Sequence, residues 1–192
     1  MKYLCYLLIS CSIIFSSDLR LWIDNNSALI DKKSYKLEFK YLVTKKKKDI
    51  DRNSLNTTEF YSINTDSSII RLDSRLTLSY KDYSEVIDLS SKQKFIQALD
   101  IEFNDFKSKL VSIFTDKNFK IIKISKNKYI LSLNDYYINM NITYDKSNSY
   151  ISDLFFYQAP YWIYIQDLAI TPLDSIPYNY TDWDNYEVFD LR

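Results

Sequence analysis

The stretch of this sequence that most constrains its fold is residues 151–170, ISDLFFYQAPYWIYIQDLAI. Its apolar and aromatic residues predict two strands with a break at Ala159-Pro160. Alternate side chains of a strand point to opposite faces of a sheet, and both faces of the second strand are largely apolar. One face carries Tyr161, Ile163, Ile165 and Ala169, and the other carries Trp162, Tyr164, Leu168 and Ile170. An ordinary antiparallel sheet is apolar on one face only. This strand therefore needs a helix on one side, and more protein or an apolar guest on the other.

Composition excludes several classes of function. The 192 residues suffice for one domain with a real core, and 25 basic residues balance 25 acidic ones. That balance gives no electrostatic reason to expect nucleic acid as a partner. The sequence has no glycine and no histidine, so a phosphate-binding loop, a nucleophile elbow, a histidine-based triad and histidine metal ligands are all excluded. We therefore expect no cofactor, no metal and no catalytic activity. The catalytic alternative is a carboxylate enzyme that uses Asp153 and Asp167, although both positions are typical of solvent-facing strand or turn residues.

Residues 1–17 have the plan of a secretory signal peptide. One basic residue precedes a short apolar run, and two serines follow it. The run is too short for a comfortable membrane span. An alternative interpretation is a lipoprotein signal in which Cys11 becomes the acylated residue, and a third is a buried N-terminal strand. Either signal predicts export from the cytoplasm. Residues 18–192 are predicted to form a single domain.

The pattern that follows predicts a helix and then a series of strands. Asp18–Lys33 has apolar residues at helical spacing, and Tyr35–Val43 alternates apolar and polar residues, which indicates a strand with one wet face. The basic run Lys45–Lys48 is typical of a solvated hairpin tip, with docking on an anionic lipid surface or partner as its functional alternative. Short polar connections between the next strands indicate an antiparallel meander. These strands are predicted at Leu55–Ile63, Ile69–Asp73, Leu76–Tyr80, Glu85–Leu89 and Lys94–Ile96.

The segment Ala98–Thr115 breaks this rhythm with the strongest amphipathic helix pattern of the chain. Its broad aromatic stripe should cover a sheet face. Thr171–Asn185 contains two prolines and predicts a loop, and Tyr186–Leu191 predicts a last strand. The strands between are predicted at Phe119–Ile124, Tyr129–Leu133, Ile138–Tyr144, Ile151–Tyr157 and Tyr161–Ile170.

The order of elements and four short motifs resemble one known family. The order is signal peptide, helix, meander, helix, meander and terminal strand. The motifs are Ser34–Phe39 (SYKLEF), Asp82–Leu89 (DYSEVIDL), Lys92–Ile96 (KQKFI) and Tyr186–Arg192 (YEVFDLR). In this order, they are similar to four features of the LolA family. These are its first strand, a turn followed by an apolar strand, a Lys-Gln followed by a short strand, and the C-terminal segment. This family comprises the periplasmic carriers of outer-membrane lipoproteins.

The resemblance implies a fold, a function and partners. The fold is α+β, a curved and open antiparallel half barrel of about ten to twelve strands, with two or more helices across its concave face. The apolar space between them holds lipoprotein acyl chains. A monomeric carrier takes its cargo from an inner-membrane exporter and passes it to an outer-membrane acceptor. The sequence departs from the family pattern at two places. At the turn, Asp82-Tyr83 stands where the family has Asp-Gly. At the position linked to the lid, Asn64-Thr65-Asp66 stands where the family has a basic residue followed by proline.

Strand parity then predicts which side chains line the acyl cavity. They are apolar or aromatic groups from both meanders and the second helix: Phe39, Tyr41, Leu78, Tyr80, Phe103, Phe106, Met140, Ile142, Phe155, Tyr157, Trp162 and Tyr164. Two alternatives stay open on the same fold. One is an outer-membrane lipoprotein acceptor anchored by an acylated Cys11, and the other is a non-enzymatic envelope interaction or sensor module.

Overall fold

The computed structural model describes residues 18–31, 34–63, 67–98, 111–116, 118–133, 138–175, 178 and 180–192. The predicted signal peptide, the lid departure at 64–66 and residues 99–110 of the predicted second helix lie outside them. The described strands, in chain order, are β1 (Tyr35–Thr44), β2 (Asn56–Ser62), β3 (Ser68–Leu72), β4 (Arg75–Ser79), β5 (Tyr83–Asp88), β6 (Gln93–Ala98), β7 (Lys120–Lys123), β8 (Lys128–Leu133), β9 (Ile138–Asp145), β10 (Tyr150–Gln158), β11 (Tyr161–Pro172) and β12 (Glu187–Asp190).

Within the described residues, the twelve strands form one open sheet. Their order is β12-β6-β5-β4-β3-β2-β1-β11-β10-β9-β8-β7, and neighbours run antiparallel except for β12, which pairs with β6 in parallel. The sheet does not close into a barrel. The predicted α+β fold with one large open sheet is confirmed.

A helical layer covers one face of this sheet, which we call the helix face and define by Leu37, Ile142, Leu154 and Ile165. Helix α1 (Asp18–Asp31) lies on it, and residues 111–115 are also helical. The buried apolar residues of α1 recur at helical spacing, so one stripe of the helix faces the sheet. They are Leu19, Trp22, Ile23 and Ile30.

Among the residues that the structure describes, few polar contacts join α1 to its surroundings. The indole Nε1 of Trp22 donates a hydrogen bond to the Ser149 carbonyl at 2.7 Å, and the Ser27 hydroxyl donates one to the Phe114 carbonyl at 2.7 Å. An exposed ion pair joins Lys146 to Asp18 at 3.0 Å. The helix is therefore held mainly by burial of its apolar stripe.

A bulge in β11 changes the parity predicted for that strand. Asp167 has a positive φ of 58°, and the register with β1 shifts at the same point, between Glu38 and Lys40. Beyond the bulge, Leu168 and Ile170 join the same cluster as Ile163 and Ile165 on the helix face. The prediction that Leu168 and Ile170 share a face with Trp162 was wrong, because the bulge inserts one residue into the alternation.

The opposite face, which we call the back face and define by Tyr61, Leu78, Phe155 and Tyr164, has covers of its own. Over the first meander lies a second apolar cluster of Tyr61, Ile69, Leu76, Leu78, Ile87 and Trp183. Trp183 comes from a short 3₁₀ helix at Tyr180–Trp183, within the segment predicted to be a loop. Over the second meander lies the β1–β2 connection, which includes a 3₁₀ turn at Lys47–Asp49. Chain segments thus supply the second cover that the two-sided strand requires.

Turns of the chain, and the bulge in β11, adopt left-handed backbone conformations without glycine. The residues are Asp73, Lys92, Ser149 and Asp167. Asparagine and aspartate tolerate this conformation best, whereas a longer side chain such as that of lysine meets a steric cost. Lys92, at φ 55° in the β5–β6 turn, is therefore a site of local strain.

Lys92→Gly is expected to raise the free energy of unfolding by about 0.5–1 kcal/mol. Left-handed geometry costs a non-glycine residue about 1–2 kcal/mol, and the freer unfolded chain offsets about 0.4–1 kcal/mol of that gain. Urea unfolding followed by circular dichroism measures it. Ser91→Gly, one position earlier in the same turn, is the matched control and should destabilise the protein instead. Equal effects of both substitutions would contradict the strain at Lys92.

Candidate functional site

The predicted lining residues that the structure describes fall on both faces of the sheet. Phe39, Met140 and Ile142 are buried on the helix face, and Tyr41 packs against the same cluster while partly exposed. These four belong to the layer beneath the helices.

The other described lining residues lie on the back face. Leu78 is buried in the second cluster, and Tyr80 packs against it. Phe155, Tyr157, Trp162 and Tyr164 lie together beneath the β1–β2 connection, where Phe155 pairs with Tyr164 and Tyr157 with Trp162. The predicted set is thus split between the two faces. Phe103 and Phe106 lie outside the described residues.

A groove of about 420 Å³ opens on the back face between the β1–β2 connection and β8–β9. We call it the back-face groove. Its floor is formed by Asp153, Phe155 and Tyr164, one wall by Lys47, Ile50 and Arg52, and the other wall by Ile124, Lys128, Asn141 and Thr143. Tyr129 and Ile142, which belong to the helix-face cluster, also contribute to its lining. Its volume falls within the range of about 300–1,000 Å³ typical of small-molecule sites.

The carboxylate on the floor of the groove is already engaged. Asp153 accepts a hydrogen bond from the Tyr164 hydroxyl and pairs with Arg52 at 3.4 Å. The Arg52 guanidinium carbon also lies 5.3 Å from the centre of the Tyr164 ring. Burial raises the pKa of Tyr164 above its ordinary value, and the hydrogen bond to Asp153 raises that pKa further. Tyr164 therefore stays protonated and holds Asp153 in place.

The second carboxylate of the catalytic alternative, Asp167, directly follows Gln166, which pairs with Asp153 across β10 and β11. Asp167 occupies the bulge of β11 and pairs with Lys40 at 3.2 Å. Asp153 is committed to Tyr164 and Arg52. Each carboxylate thus has a cationic partner of its own.

Lys47 turns back from the basic run onto the aromatic floor. Its ammonium nitrogen lies 5.0 Å from the centre of the Phe155 ring and 5.5 Å from that of Trp162. The two rings stack with an interplanar angle of 6° and 5.1 Å between centroids. Cation–π contacts of this kind contribute about 0.5–1 kcal/mol at exposed sites. All four lysines of the run are exposed, as expected of a solvated tip, but Lys47 also forms one wall of the groove.

Sequence patterns did not point to Ile50, Arg52 or Lys128 as part of this site. Arg52 and Ile50 lie in a connection without helical or strand periodicity, so no rule of alternation places them over β10. Lys128 is a polar residue on the wet side of a strand and resembles any other exposed lysine. The one available signal was Ile50, an apolar residue within a highly polar loop.

Exposed apolar side chains gather at the end of the sheet beside the groove. Tyr157, Tyr161 and Val43 are 48%, 41% and 43% exposed. They lie on both sides of the sheet. Tyr157 pairs with Trp162 on the back face, whereas Val43 pairs with Ile163 and lies on the helix-face side, as does Tyr161, two residues before Ile163. We call these three residues the aromatic end.

Over the ranges described above, no three His, Cys, Asp or Glu side chains are grouped so as to hold a metal ion. Among the helices that the structure describes, none combines the length and apolarity needed to cross a membrane.

Comparison with known proteins gives a fold likeness at low similarity. No family model matches the chain, and no curated protein matches it. It is similar to a solved structure of an uncharacterized conserved protein from Thermus thermophilus, with 7% identity, a TM-score of 0.42, and coverage of 86% of this chain and 99% of that one. It is also similar to PNGF-II, with 9% identity, a TM-score of 0.35 and coverage of 82% and 31%. A third is MucB in complex with MucA(peri), with 10% identity, a TM-score of 0.33 and coverage of 80% and 56%. These values assign neither a family nor a function.

Proposed function

We propose that this chain is a non-catalytic periplasmic carrier that shelters the acyl chains of lipoproteins and delivers them to the outer membrane. The observation that carries the proposal is the helix face. It is a continuous apolar surface that includes Leu37 in β1 and reaches Leu131 in β8, and helix α1 lies across it. The LolA-like order of elements and the four LolA-like motifs support the same role.

An acyl carrier must bind firmly and still release its cargo. Each buried methylene contributes about 0.8 kcal/mol, so a chain of about fifteen carbons would contribute roughly 12 kcal/mol in total. Release at a useful rate therefore needs an opposing cost. Displacement of α1 supplies one, because it exposes the buried stripe that includes Trp22 and Ile23.

The contacts of α1 suit such an opening. Its hydrogen bonds through Trp22 and Ser27 contribute about 1 kcal/mol each, and the exposed Lys146–Asp18 pair contributes less. Met140, fully buried beneath the helical layer, has a flexible side chain that can repack around a guest. The helix can thus exchange its own apolar contacts for those of an acyl chain.

Two neighbouring phenylalanines on β10 allow a test of acyl carriage on the helix face. Phe156 lies in the helix-face cluster and Phe155 lies in the back-face groove. The photoreactive residue p-benzoylphenylalanine replaces each in turn, and the folded protein is irradiated with a purified acylated lipoprotein. Crosslinks from position 156 that require the acyl chains are the expected result. No crosslink from that position in a protein with native circular dichroism would reject acyl carriage on the helix face.

Mass spectrometry of the natively processed protein addresses its location and anchoring. A chain that begins near Asp18 is expected for a soluble periplasmic carrier. An acylated Cys11 would instead indicate an anchored acceptor of lipoproteins.

A second candidate function is supported by the aromatic end. Exposed tyrosines beside apolar residues are typical of protein-binding surfaces, and an envelope interaction or sensor module would use them. The same photoreactive residue at Tyr157 tests this function. Protein adducts from position 157, together with no acyl adducts from position 156, would favour the interaction module over the carrier.

A further inference from the structure

We propose that the back-face groove binds a small amphiphilic anion, meaning a single carboxylate or phosphate group attached to an apolar body. The groove lies on the opposite side of the sheet from the proposed acyl surface. The inference therefore stands on its own residues and does not depend on the carrier function.

The charges around the groove favour an anion. Lys47 and Arg52 line one wall and Lys128 lines the other, whereas Asp153 is the one carboxylate among the described lining residues. Arg52 already neutralises Asp153 at 3.4 Å. Within the described part of the chain, neither Lys47 nor Lys128 makes an ion pair. Lys47 and Lys128 thus line the groove without an ion-pair partner among the described residues, in a chain whose net charge is zero.

The apolar surface of the groove favours an apolar body next to that charge. Phe155 forms part of the floor, Ile50 lies on the wall beside Lys47, and Ile124, on the wall beside Lys128, is 59% exposed. A hydrated inorganic anion would gain nothing from these three groups. A ligand with an apolar tail would cover them and remove their surface from water, at about 25 cal/mol per Å² buried.

The same arrangement argues against two other ligand classes. A cation would meet Lys47 already seated over the Phe155 and Trp162 rings, which are the surfaces that attract cations. A neutral sugar would stack on an aromatic ring but leave the charges of Lys47 and Lys128 unused. An anion with an apolar body engages both features at once.

Isothermal titration calorimetry with four matched probes tests this site. Decanoate and decyl phosphate carry the anionic head and the apolar tail, decanol carries the tail alone, and inorganic phosphate carries the charge alone. We expect decanoate and decyl phosphate to bind at least about tenfold more tightly than decanol or inorganic phosphate. Binding should weaken as sodium chloride rises, because salt screens exposed charges. A preference between the two anionic probes identifies the head group.

Adjacent lysines supply a matched pair of variants. Lys47→Gln and Lys128→Gln should each weaken decanoate binding about threefold, the size expected for one exposed ion pair. Lys48→Gln removes the same charge from a residue that does not line the groove, and it should leave binding unchanged. All three positions are on the surface, so each variant is expected to fold.

Four outcomes would overturn the site: no binding of either anionic probe, equal binding of decanol and decanoate, no effect of Lys47→Gln, or an equal loss with Lys48→Gln. The carrier proposal is judged separately, by crosslinks from position 156 on the helix face. A carrier that fails that test leaves the calorimetric result intact. Conversely, a groove without an anion preference leaves the crosslinking result intact.

Discussion

Trp22→Ala is expected to lower the free energy of unfolding by about 3–5 kcal/mol, the usual cost of truncating a large buried aromatic residue. Trp22 is 6% exposed, and its ring centroid lies 5.4 Å from that of Phe114 and 6.0 Å from that of Tyr144. Its indole also donates the hydrogen bond to Ser149. Truncation removes a large apolar surface from the interior, opens a cavity between α1 and the sheet, and breaks one of the hydrogen bonds that join the helix to its surroundings.

Urea unfolding monitored by circular dichroism measures this loss. Leu21→Ala serves as the control, because Leu21 belongs to the same helix but is 57% exposed, so its truncation should stay within about 0.5 kcal/mol. A loss below about 1 kcal/mol for Trp22→Ala would show that α1 does not pack on the sheet as described.

Trp22→Phe tests whether the contact between Trp22 and Ser149 controls the entry of acyl chains into the proposed carrier. Phenylalanine keeps much of the ring but cannot donate to Ser149, so α1 should be easier to displace while the fold persists. On the carrier proposal, uptake of a fluorescent fatty acid should be faster in this variant than in the unaltered protein. Unchanged uptake with reduced stability would separate the packing of α1 from the entry of acyl chains.

The local elements of this chain follow closely from its periodicity. The helix predicted at Asp18–Lys33 is observed at Asp18–Asp31, and the strand predicted at Tyr161–Ile170 is observed at Tyr161–Pro172. Apolar spacing of 3.6 or 2 residues reflects which side chains are buried, so it predicts the type of element well. Apolar periodicity is a property of neighbouring residues, so it predicts local helices and strands.

Relations between distant parts of the chain were not predictable from the same patterns. The parallel pairing of β12 with β6 joins residues such as Phe189 and Phe95, whose stacking depends on where the C-terminal segment crosses the back face. The parity of β11 depends on a one-residue bulge at Asp167, and nothing in the alternation marks it. A single inserted residue moves every later side chain to the other face.

This dependence on parity explains the division of the predicted lining set. Met140 and Ile142 were placed with Phe155 and Tyr157, but the pairing of Leu154 with Ile142 puts the even residue of β10 on the helix face. Phe155 pairs with Asn141 and therefore faces the back. Sequence alternation gives two candidate sets for each strand, and only the inter-strand register selects between them.

Leu154→Asp and Phe155→Asp, at adjacent positions of β10, are expected to have very different effects on stability. Leu154 is fully buried on the helix face, between Ile142 and Ile165. A carboxylate there has no cation to pair with among its described neighbours on the sheet, so the cost should reach about 4–5 kcal/mol or more. That is comparable to the whole stability of an ordinary domain, about 5–15 kcal/mol. Phe155 is half-buried beside Lys47, so its replacement should cost about 1–2 kcal/mol and preserve cooperative unfolding.

Thermal unfolding of both variants at pH 7 and pH 4 checks this expectation and its cause. Burial raises the pKa of an introduced carboxylate, so the folded form of Leu154→Asp takes up a proton more readily than the unfolded form. Its destabilisation should therefore be largest at pH 7 and shrink as the pH falls toward 4, whereas Phe155→Asp should show little such recovery. A more damaging Phe155→Asp would mean that the register of β10 is reversed. The sheltered apolar surface, and with it the proposed place of the acyl chains, would then belong to the back face.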